Sequence, residues 1–452
     1  MMADDAVLSL DKLDGRLRLD APAREAMKTD FGGMLTEIPG AVLEPGSPED
    51  IAAALKEAGR RGVPVTVRGL GRSVYGQTVA RPGGVLIDMS SLNRVHAIER
   101  DQCVVDAGAT WATVVKAALA QGLVPPVLID FLDLTVGGTL SWGGMGMTSR
   151  RYGLQADNVL ELEVATADGM LHRCSPSQES DLFHAVLGGM GTVGVMTKAT
   201  LGLIPAPERA LRVQIPYPDA AAMTADLMQL AHDDRVDAFQ GIVAAPDGQW
   251  VHLIEATAFY SGERPDVGWV CEGLNGMIAH ANPIDSSFED FLFRLGDMTT
   301  LPCQAAGPHA HPWWSTQTSA ERAPAFVEEL EQFFDPATAG PFDLFIVYPM
   351  LTGRSRTPLP SLPRQDWSVV VATFWCVSFD RQDQLAAVLA ENRRLFEQAA
   401  AVHAPGSVDP VAAVDYSPAE WAAHLADAWP AFDAAKRKYD PQGVLDKARR
   451  IF

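Results

Sequence analysis

A glycine-dense stretch in the first half of the chain constrains its fold more than any other feature. Five glycines fall within residues 137–146. Because glycine has no Cβ, such backbone can lie directly against a flat or phosphorylated ligand. A strand pattern follows over residues 158–166, then a helical pattern over 181–187, a second glycine turn over 188–194 and an apolar strand that ends at 204–205. This order predicts a strand–helix–strand unit built beside a ligand-binding loop.

The composition is that of a globular enzyme. A chain of 452 residues, 47% hydrophobic and 21% charged, is expected to form two domains. Its formal net charge of -21 opposes binding to nucleic acid or to an anionic membrane, since both surfaces are negative. No apolar run has the length of a membrane span and no secretory signal is recognisable, so we expect a cytoplasmic location. The five cysteines are scattered singly and predict no metal site.

A further glycine turn lies closer to the N-terminus. A strand over residues 41–45 and a helix capped by Ser47 precede a strand over residues 63–68. The sequence Gly69-Leu-Gly-Arg-Ser73 then turns out of that strand. Successive backbone N–H groups in such a turn can point inward and hold a pyrophosphate. Further predicted elements are strands over 85–89 and 102–108 and a helix from Thr110 to Gln121.

Motifs spread along the whole chain resemble those of one superfamily. They are Leu134-Thr-Val-Gly-Gly-Thr-Leu-Ser141, Asn158-Val-Leu-Glu-Leu162, Ser180-Asp-Leu-Phe-His-Ala-Val-Leu-Gly-Gly189, Arg68-Gly-Leu-Gly-Arg-Ser73, Gly76-Gln77, His311-Pro-Trp313, Tyr348-Pro349, Lys436-Arg-Lys-Tyr-Asp-Pro441 and Ile451-Phe452. The chain thereby resembles the vanillyl-alcohol-oxidase-type flavoproteins and, among them, most of all the cytokinin dehydrogenases. The resemblance implies an α+β, two-domain PCMH-type flavoprotein. Residues 1–206 and 405–452 are expected to form a split FAD-binding domain, and residues 207–404 an inserted substrate-binding cap domain with an antiparallel sheet.

The resemblance also implies where FAD binds. The pyrophosphate is expected at residues 69–73, the flavin ring at residues 135–138 and Ser141, and the adenine side near residues 193–195. The complete set of predicted FAD contacts is Arg68, Gly69, Leu70, Gly71, Arg72, Ser73, Gln77, Thr135, Val136, Gly137, Gly138, Ser141, Gly144, Gly146, Val193, Gly194, Val195, Tyr416 and Arg449.

Position 72 departs from the family pattern. The relatives usually carry a histidine there, whose ring nitrogen bonds covalently to the flavin, and related enzymes use a cysteine at the position of Asp133 as a second attachment. A guanidinium stays protonated and has no free lone pair for such a bond. The sequence therefore predicts FAD that is bound without a covalent link. Arg72 is expected either to pair with phosphate or the flavin ring, or to be a structural arginine.

Asp130 is the predicted catalytic residue. In the cytokinin dehydrogenases a matching aspartate lies over the flavin and takes a proton from the substrate amine, and Asp130-Phe-Leu-Asp-Leu-Thr-Val-Gly-Gly138 matches its context. Hydride transfer needs a C–H held against the flavin and a base for the proton of the adjoining N–H or O–H. The alternative is an aspartate that binds its own loop.

Candidate substrate residues lie in the predicted cap. His311, Trp313 and Trp375 are expected to wall an aromatic or apolar pocket, with ordinary core packing as the alternative. In the cytokinin dehydrogenases a glutamate precedes the His-Pro-Trp motif and helps to receive the adenine-type ligand. Pro308 stands here without an adjacent glutamate, which weakens cytokinin as the substrate. Predicted elements of the second half are helices over 219–232, 320–334 and 418–439 and strands over 239–243, 250–258, 343–348 and 367–377.

These features predict an FAD-dependent oxidase or dehydrogenase. It would oxidise an amine or alcohol carbon of a small organic substrate by hydride transfer to FAD, with oxygen or another acceptor for reoxidation. A redox-neutral cyclisation or isomerisation on FAD remains an alternative, and so does a non-catalytic relic of the fold.

Overall fold

The computed structural model describes residues 7–10, 12–301, 307–359, 362–363, 366–402, 412–448 and 451–452. The strands of the N-terminal half are β1 (Arg16–Arg18), β2 (Ala41–Glu44), β3 (Val65–Arg68), β4 (Val85–Asp88), β5 (Val95–Ile98), β6 (Gln102–Asp106), β7 (Leu123–Val124), β8 (Val159–Ala165), β9 (Leu171–Cys174), β10 (Val195–Gly202) and β11 (Ile204–Pro205). The helices of this half are α1 (Ala21–Ala26), α2 (Pro48–Arg61), α3 (Trp111–Leu119), α4 (Val136–Leu140), α5 (Ser149–Tyr152) and α6 (Ser180–Val186).

The remaining elements follow in chain order. The strands are β12 (Arg209–Tyr217), β13 (Ala238–Ala244), β14 (Val251–Tyr260), β15 (Asn282–Ser287), β16 (His309–Ala310), β17 (Trp314–Thr318), β18 (Leu344–Met350), β19 (Ser368–Phe374) and β20 (Val377–Ser378). The helices are α7 (Ala220–Ala231), α8 (Val267–Val270), α9 (Phe288–Leu292), α10 (Ala323–Phe333), α11 (Gln382–Val402), α12 (Pro418–Leu425) and α13 (Trp429–Tyr439).

The first sheet carries the N-terminal glycine turn. Its order is β1-β2-β4-β3, and β2, β3 and β4 run parallel. Burial on both faces accounts for continuous apolar runs such as Val85-Leu-Ile87. Helix α2 connects β2 to β3 as predicted: Ser47 caps it by accepting a hydrogen bond from the Asp50 N–H, and Gly62 ends it in the left-handed conformation, at φ 66°. The turn therefore leaves the carboxyl end of β3.

The second sheet is antiparallel and holds the other glycine-rich segments. Its order is β5-β6-β10-β8-β9. The segment between β7 and β8 contains Asp130 and the glycine cluster, and the turn at residues 188–194 leads into β10. Helix α13 packs against α6, which brings the C-terminal part of the chain back to this unit.

A seven-stranded sheet forms the predicted cap. Its order is β15-β12-β14-β13-β18-β19-β17, with every neighbouring pair antiparallel. Helices α7 and α10 contact each other and cover one face. The predicted two-domain α+β fold with an antiparallel cap sheet is confirmed.

The prediction of one helix over residues 418–439 is wrong. Ala426 has a φ of 43° and ends α12, and α13 begins at Trp429 with a proline in its first turn. Pro430 has no N–H to donate, and its ring would clash with the carbonyl four residues earlier in a continuous helix. The sequence patterns also missed α11, β12, β15 and β17.

Cap and first domain are joined by polar contacts, some of them buried. The carboxylate of Asp157 accepts hydrogen bonds from the backbone N–H groups of Arg356 and Thr357, at 2.7 and 2.8 Å. The buried Arg150 guanidinium donates to the carbonyl oxygen of Val236 at 3.0 Å. These contacts hold the cap over the glycine-rich loops. Of the helices in the described part of the chain, none has both the length and the apolar character to cross a bilayer.

Candidate active site

The structure brings the two predicted glycine turns into contact. An ideal Cβ on Gly69 would lie 2.2 Å from Thr135 Oγ1, and one on Gly138 would lie 2.6 Å from the same atom. Gly71 has a φ of +68°, and a Cβ there would lie 2.1 Å from a nitrogen of the Arg68 guanidinium. A side chain at Gly69 would push the two loops apart, whereas side chains at Gly138 and Gly71 would clash within their own turns. The two loops therefore lie against each other.

The turn after β3 offers unpaired donors. Within the described ranges, the backbone N–H groups of Leu70, Gly71, Arg72 and Ser73 donate to no protein acceptor. These residues are only partly exposed or buried, and unpaired buried amides are unfavourable unless a ligand satisfies them. Successive amides in a glycine turn bind phosphate oxygens well. The residues present therefore fit the pyrophosphate of FAD.

A buried carboxylate supports this turn from beneath. Asp30 Oδ2 accepts a hydrogen bond from Ser73 Oγ at 2.8 Å and one from the Gly76 N–H at 2.6 Å. Arg68 donates to the carbonyl oxygen of Thr29 at 2.8 Å. Burial raises the pKa of Asp30 to about 6, although its hydrogen bonds and the charge of Arg68 oppose this. Asp30 and Arg68 thus hold this turn in place through hydrogen bonds.

The raised pKa of Asp30 predicts a pH-dependent contribution to stability. The ordinary pKa is 3.8, so between about pH 4 and 6 the native state binds a proton that the unfolded state has lost. Stability then falls as the pH rises through this window, by at most about 3 kcal/mol. Asp30→Asn removes this titration. As the pH rises from 4 to 7, the free energy of unfolding of the variant, measured by denaturation, should therefore increase relative to that of the native protein. Parallel curves would show that Asp30 is ionised throughout.

The other predicted FAD contacts form the far side of this surface. The Met190 N–H donates to the carbonyl oxygen of Ser141 at 2.9 Å, so the turn before β10 lies against the end of α4. A Cβ on Gly146 would lie 2.0 Å from the carbonyl oxygen of Leu128, and one on Gly144 would lie 2.1 Å from Gln155 Oε1. Here too the close approach of two segments requires glycine.

The remaining predicted FAD contacts are spread over several segments of the chain. Val136 and Gly137 donate their N–H groups to carbonyl oxygens of the loop after β6. Gln77 Oε1 accepts a hydrogen bond from the Tyr75 N–H. Val193 and Gly194 are packed just before β10, and Val195 is the first residue of that strand. The Tyr416 ring stacks on Trp421, with centroids 4.3 Å apart. Arg449 lies outside the described residues.

A lysine that was not predicted lies at the same place. Lys447 Nζ donates to the carbonyl oxygen of Met190 at 2.5 Å and lies 5.1 Å from the centroid of the Trp142 ring. Burial lowers the pKa of this ammonium group to about 7.

Arg72 lies in an ion-pair group. Its Nε lies 3.1 Å from Asp133 Oδ2, and its Nη2 lies 3.5 Å from Asp297 Oδ1 in the cap. Burial raises the pKa of Asp133, and the charge of Arg72 opposes this. The two positions at which the relatives attach flavin covalently thus hold side chains that pair with each other.

The carboxylate of Asp130 is held by an arginine of the cap. Arg294 Nη2 donates to Asp130 Oδ1 at 2.8 Å, and Arg294 Nη1 donates to the carbonyl oxygen of Phe291 at 3.2 Å. The guanidinium also lies over the Phe291 ring, 4.5 Å from its centroid, and the Arg294 side chain is only 10% exposed. Asp130 Oδ2 receives no hydrogen bond from the described residues. Asp130 Oδ1 is therefore held in place by Arg294, and Oδ2 remains able to accept a hydrogen bond or a proton.

An aromatic cluster adjoins Asp130. Trp313 packs against Phe374 and Phe31, with centroids 4.7 and 5.3 Å apart, and Phe131 contacts the same cluster. The His311 ring stacks on Phe31 at 4.0 Å and its Nδ1 lies 2.9 Å from the carbonyl oxygen of Phe31. His311 and Trp313 are thus brought together near the candidate base.

The structure separates Trp375 from this cluster. Its ring packs against Phe334, with centroids 4.3 Å apart, and against Phe345, and it is 1% exposed. Because neighbouring residues of an extended chain point to opposite sides, Phe374 reaches the aromatic cluster and Trp375 the core under α10. Trp375 therefore lies outside the aromatic cluster, in the core of the cap.

Several residues of this site were not predicted, among them Asp30, Phe31, Arg294 and Lys447. Asp30-Phe-Gly-Gly33 is a short acidic and glycine-containing sequence that could have signalled a turn. Arg294 follows a run of apolar residues, which is a common position for any surface arginine. No local pattern connects it with Asp130.

A two-domain fold with an antiparallel cap sheet and a glycine turn of unpaired amides is the arrangement expected of an FAD-binding oxidoreductase. Two family models match the chain: an FAD binding domain over residues 39–175, and "Cytokinin dehydrogenase 1, FAD and cytokinin binding" over residues 218–452. The chain belongs to the cytokinin dehydrogenase family of FAD-dependent oxidoreductases. The resemblance inferred from the motifs is thereby confirmed, as is the prediction of an FAD-dependent enzyme.

Individual relatives support this assignment. An uncharacterized oxidoreductase of the fasciation locus of Rhodococcoides fascians is 33% identical over 93% of this chain and 95% of its own length. Cytokinin dehydrogenase 1 of Oryza sativa subsp. japonica is 33% identical over 97% of this chain and 92% of its own length. The crystal structure of 6-hydroxy-D-nicotine oxidase from Arthrobacter nicotinovorans has a TM-score of 0.77 at 20% identity, with 97% of this chain and 98% of that chain covered, and shows a shared fold.

Proposed function

We propose that this protein oxidises the carbon next to an amine nitrogen of a small organic molecule, with Asp130 as the base. One observation carries the proposal: the Asp130 carboxylate has Oδ1 held by Arg294 and Oδ2 open, beside an aromatic cluster. Bound FAD would supply the hydride acceptor. Asp130 Oδ2 would accept the proton of the substrate N–H, and the rings of Trp313 and Phe31 would hold the substrate from the side of the cap.

The family favours an amine over an alcohol as the reacting group. The plant relatives are named for cytokinins, and the sequence around Asp130 matches the motif whose aspartate takes a proton from the substrate amine in those enzymes. The chain lacks the glutamate that precedes the His-Pro-Trp motif in those relatives, so we keep cytokinin as one member of a wider amine class. Oxygen or another small electron acceptor would return the flavin to its oxidised form.

The decisive experiment is anaerobic flavin reduction. The FAD-loaded protein is mixed with N6-isopentenyladenine and with a panel of secondary amines, and the absorbance of oxidised flavin near 450 nm is followed. Bleaching by an amine supports the proposal. Product formation without bleaching would instead establish the redox-neutral alternative, and the absence of both across the panel would contradict oxidation of amines.

We further propose that FAD is bound without a covalent link. The ion pair between Arg72 and Asp133, with side chains 18% and 13% exposed, places two groups that cannot form the family's bonds at both attachment positions. Acid precipitation of the yellow protein should release the colour into the supernatant. Colour that stays in the pellet would contradict this proposal and would require a different attachment residue.

A further inference from the structure

A short segment of the first domain, Asp30-Phe-Gly-Gly33, lies between the turn after β3 and the cap. We refer to it as the bridge segment. The N–H groups of Phe31 and Gly32 donate to carbonyl oxygens of the turn, at 2.8 and 3.1 Å. A Cβ on Gly32 would lie 1.6 Å from the carbonyl oxygen of Val74, so this close approach requires glycine.

These backbone bonds set the direction of the unpaired amides in the turn. The carbonyl oxygen of Gly71 accepts from the Phe31 N–H. In a trans peptide the carbonyl and the following N–H point in opposite directions. The Arg72 N–H is therefore turned away from the bridge segment and stays available to a phosphate oxygen.

The Asp30 carboxylate fixes the same turn through its side chain. Asp30 Oδ2 accepts a hydrogen bond from Ser73 Oγ and another from the Gly76 N–H. Asp30 is 5% exposed, so water has little access to replace these two bonds. Removal of a buried acceptor leaves its donors unpaired, which costs more than the bonds themselves contribute. Asp30 is thus placed to act on a bound pyrophosphate through the turn.

The opposite side of the bridge segment contacts the cap. The carbonyl oxygen of Phe31 lies 2.9 Å from His311 Nδ1, and that of Gly32 accepts from the His311 N–H at 3.1 Å. Because a carbonyl can only accept, Nδ1 carries the proton in the first of these bonds. The Phe31 ring stacks on His311, with centroids 4.0 Å apart, and also contacts Trp313. His311 is 1% exposed, so these contacts are buried.

Two consecutive residues thus bind both neighbours of the bridge segment. Phe31 and Gly32 use their N–H groups toward the turn and their carbonyl oxygens toward the cap. A shift of the bridge segment would disturb both sets of bonds, because a closely packed interior has little room for independent movement. Energetic coupling between two sites is reciprocal, so a change on the side of the cap should also be felt at the turn.

We propose that the bridge segment couples FAD binding to the packing of the cap, with Asp30 as the positioning residue at the turn and His311 as its counterpart in the cap. FAD at the turn then stabilises the bridge segment, which holds His311 and Trp313 at the aromatic cluster. This inference goes beyond the oxidation of an amine and rests only on FAD binding at the turn.

The direct test removes the hydrogen bond on the side of the cap. His311→Phe keeps a ring but removes the donor at Nδ1, whereas His311→Gln can still donate to the Phe31 carbonyl oxygen. The full-length, FAD-loaded protein is diluted serially, and released FAD is read by its fluorescence. His311→Phe should raise the dissociation constant of FAD about three- to tenfold, and His311→Gln should restore most of the affinity. An unchanged dissociation constant in His311→Phe would overturn the proposal.

A neighbouring histidine of the cap provides the matched control. His309 Nδ1 lies 2.7 Å from the carbonyl oxygen of Gly307, so this bond stays within the cap. His309→Phe should therefore leave FAD binding unaltered. Equal weakening in His309→Phe and His311→Phe would indicate a general loosening of the cap and would also overturn the proposal.

The side of the turn is tested with Asp30. Asp30→Ala removes the acceptor of two buried donors and should weaken FAD binding about ten- to a hundredfold, whereas Asp30→Asn keeps an acceptor oxygen and should lose much less. In the double variant of Asp30→Ala and His311→Phe, the loss should be smaller than the product of the two single losses, because both act through one segment. Losses that multiply would show two independent effects and contradict the coupling.

Hydrogen exchange provides a readout that needs neither release of FAD nor turnover. In the FAD-loaded protein, peptides covering residues 70–76 should exchange faster in His311→Phe than in the native protein or in His309→Phe. Equal exchange of these peptides in all three proteins would refute the coupling. Because no amine is present in any of these measurements, they can succeed or fail separately from the bleaching experiment.

Discussion

Replacement of Asp130 by asparagine is expected to slow anaerobic flavin reduction by about 10²–10⁴-fold, the usual contribution of a positioned acid or base. Asparagine keeps the shape of the side chain and can still accept from Arg294 Nη2, which now lies 2.8 Å from Asp130 Oδ1. It has no carboxylate to take the proton of the substrate nitrogen. The measurement is stopped-flow bleaching at saturating amine, with FAD content determined for each preparation.

A second carboxylate provides the matched control. Asp237 pairs with Arg151 at 2.6 Å and, like Asp130, lines the space between residues 124–130 and α9, but the proposed chemistry does not use it. Asp237→Asn should therefore change the affinity for the amine more than the rate of bleaching. If Asp130→Asn bleaches within a factor of about ten of the native protein, Asp130 is not the base, since general bases contribute more than this.

Replacement of Lys436 by methionine is expected to lower the free energy of unfolding by about 3–5 kcal/mol, the usual loss when one partner of a buried ion pair is removed. Lys436 Nζ lies 2.6 Å from Asp440 Oδ2, and these side chains are 10% and 0% exposed. The ammonium group also donates to the carbonyl oxygens of Thr192 and Leu445, at 2.8 and 2.9 Å. Asp440 in turn accepts from the Val444 and Leu445 N–H groups.

This arrangement ties the last turn of the chain to the glycine turn before β10, so FAD retention should fall together with stability. Denaturant unfolding with FAD in excess measures the first effect, and dialysis against FAD-free buffer measures the second. Lys438→Met is the control: Lys438 lies on the same helix, but its side chain is 59% exposed in its pair with Asp181. Exposed pairs contribute little, so this variant should remain close to the native protein. An equal loss of unfolding free energy in both variants would show that helix propensity, and not the buried ion pair, is responsible.

The local features of the fold could be predicted from sequence because each depends on neighbouring residues. Ser47 and Gly62 bound α2 through a side-chain cap and a left-handed φ, and both are properties of residue type. Strands β2 and β4 of the first sheet have continuous apolar runs, since both of their faces are buried. Where two local rules competed, as at Pro430 within an otherwise helical pattern, the prediction failed.

The candidate site was predictable where function requires a particular residue type at a particular spacing. The glycines at 69 and 71 are needed for close approach and a positive φ, and Asp130 stands in a recognisable sequence context. The tertiary structure alone decided which side chains meet them. Arg294 is 164 residues from Asp130, and Ser73 is 43 residues from Asp30. The apolar pattern of a segment is the same whatever packs against it. The ion pair at Asp130, the support that Asp30 gives to the turn after β3 and the opposite directions of Phe374 and Trp375 therefore follow only from the tertiary packing.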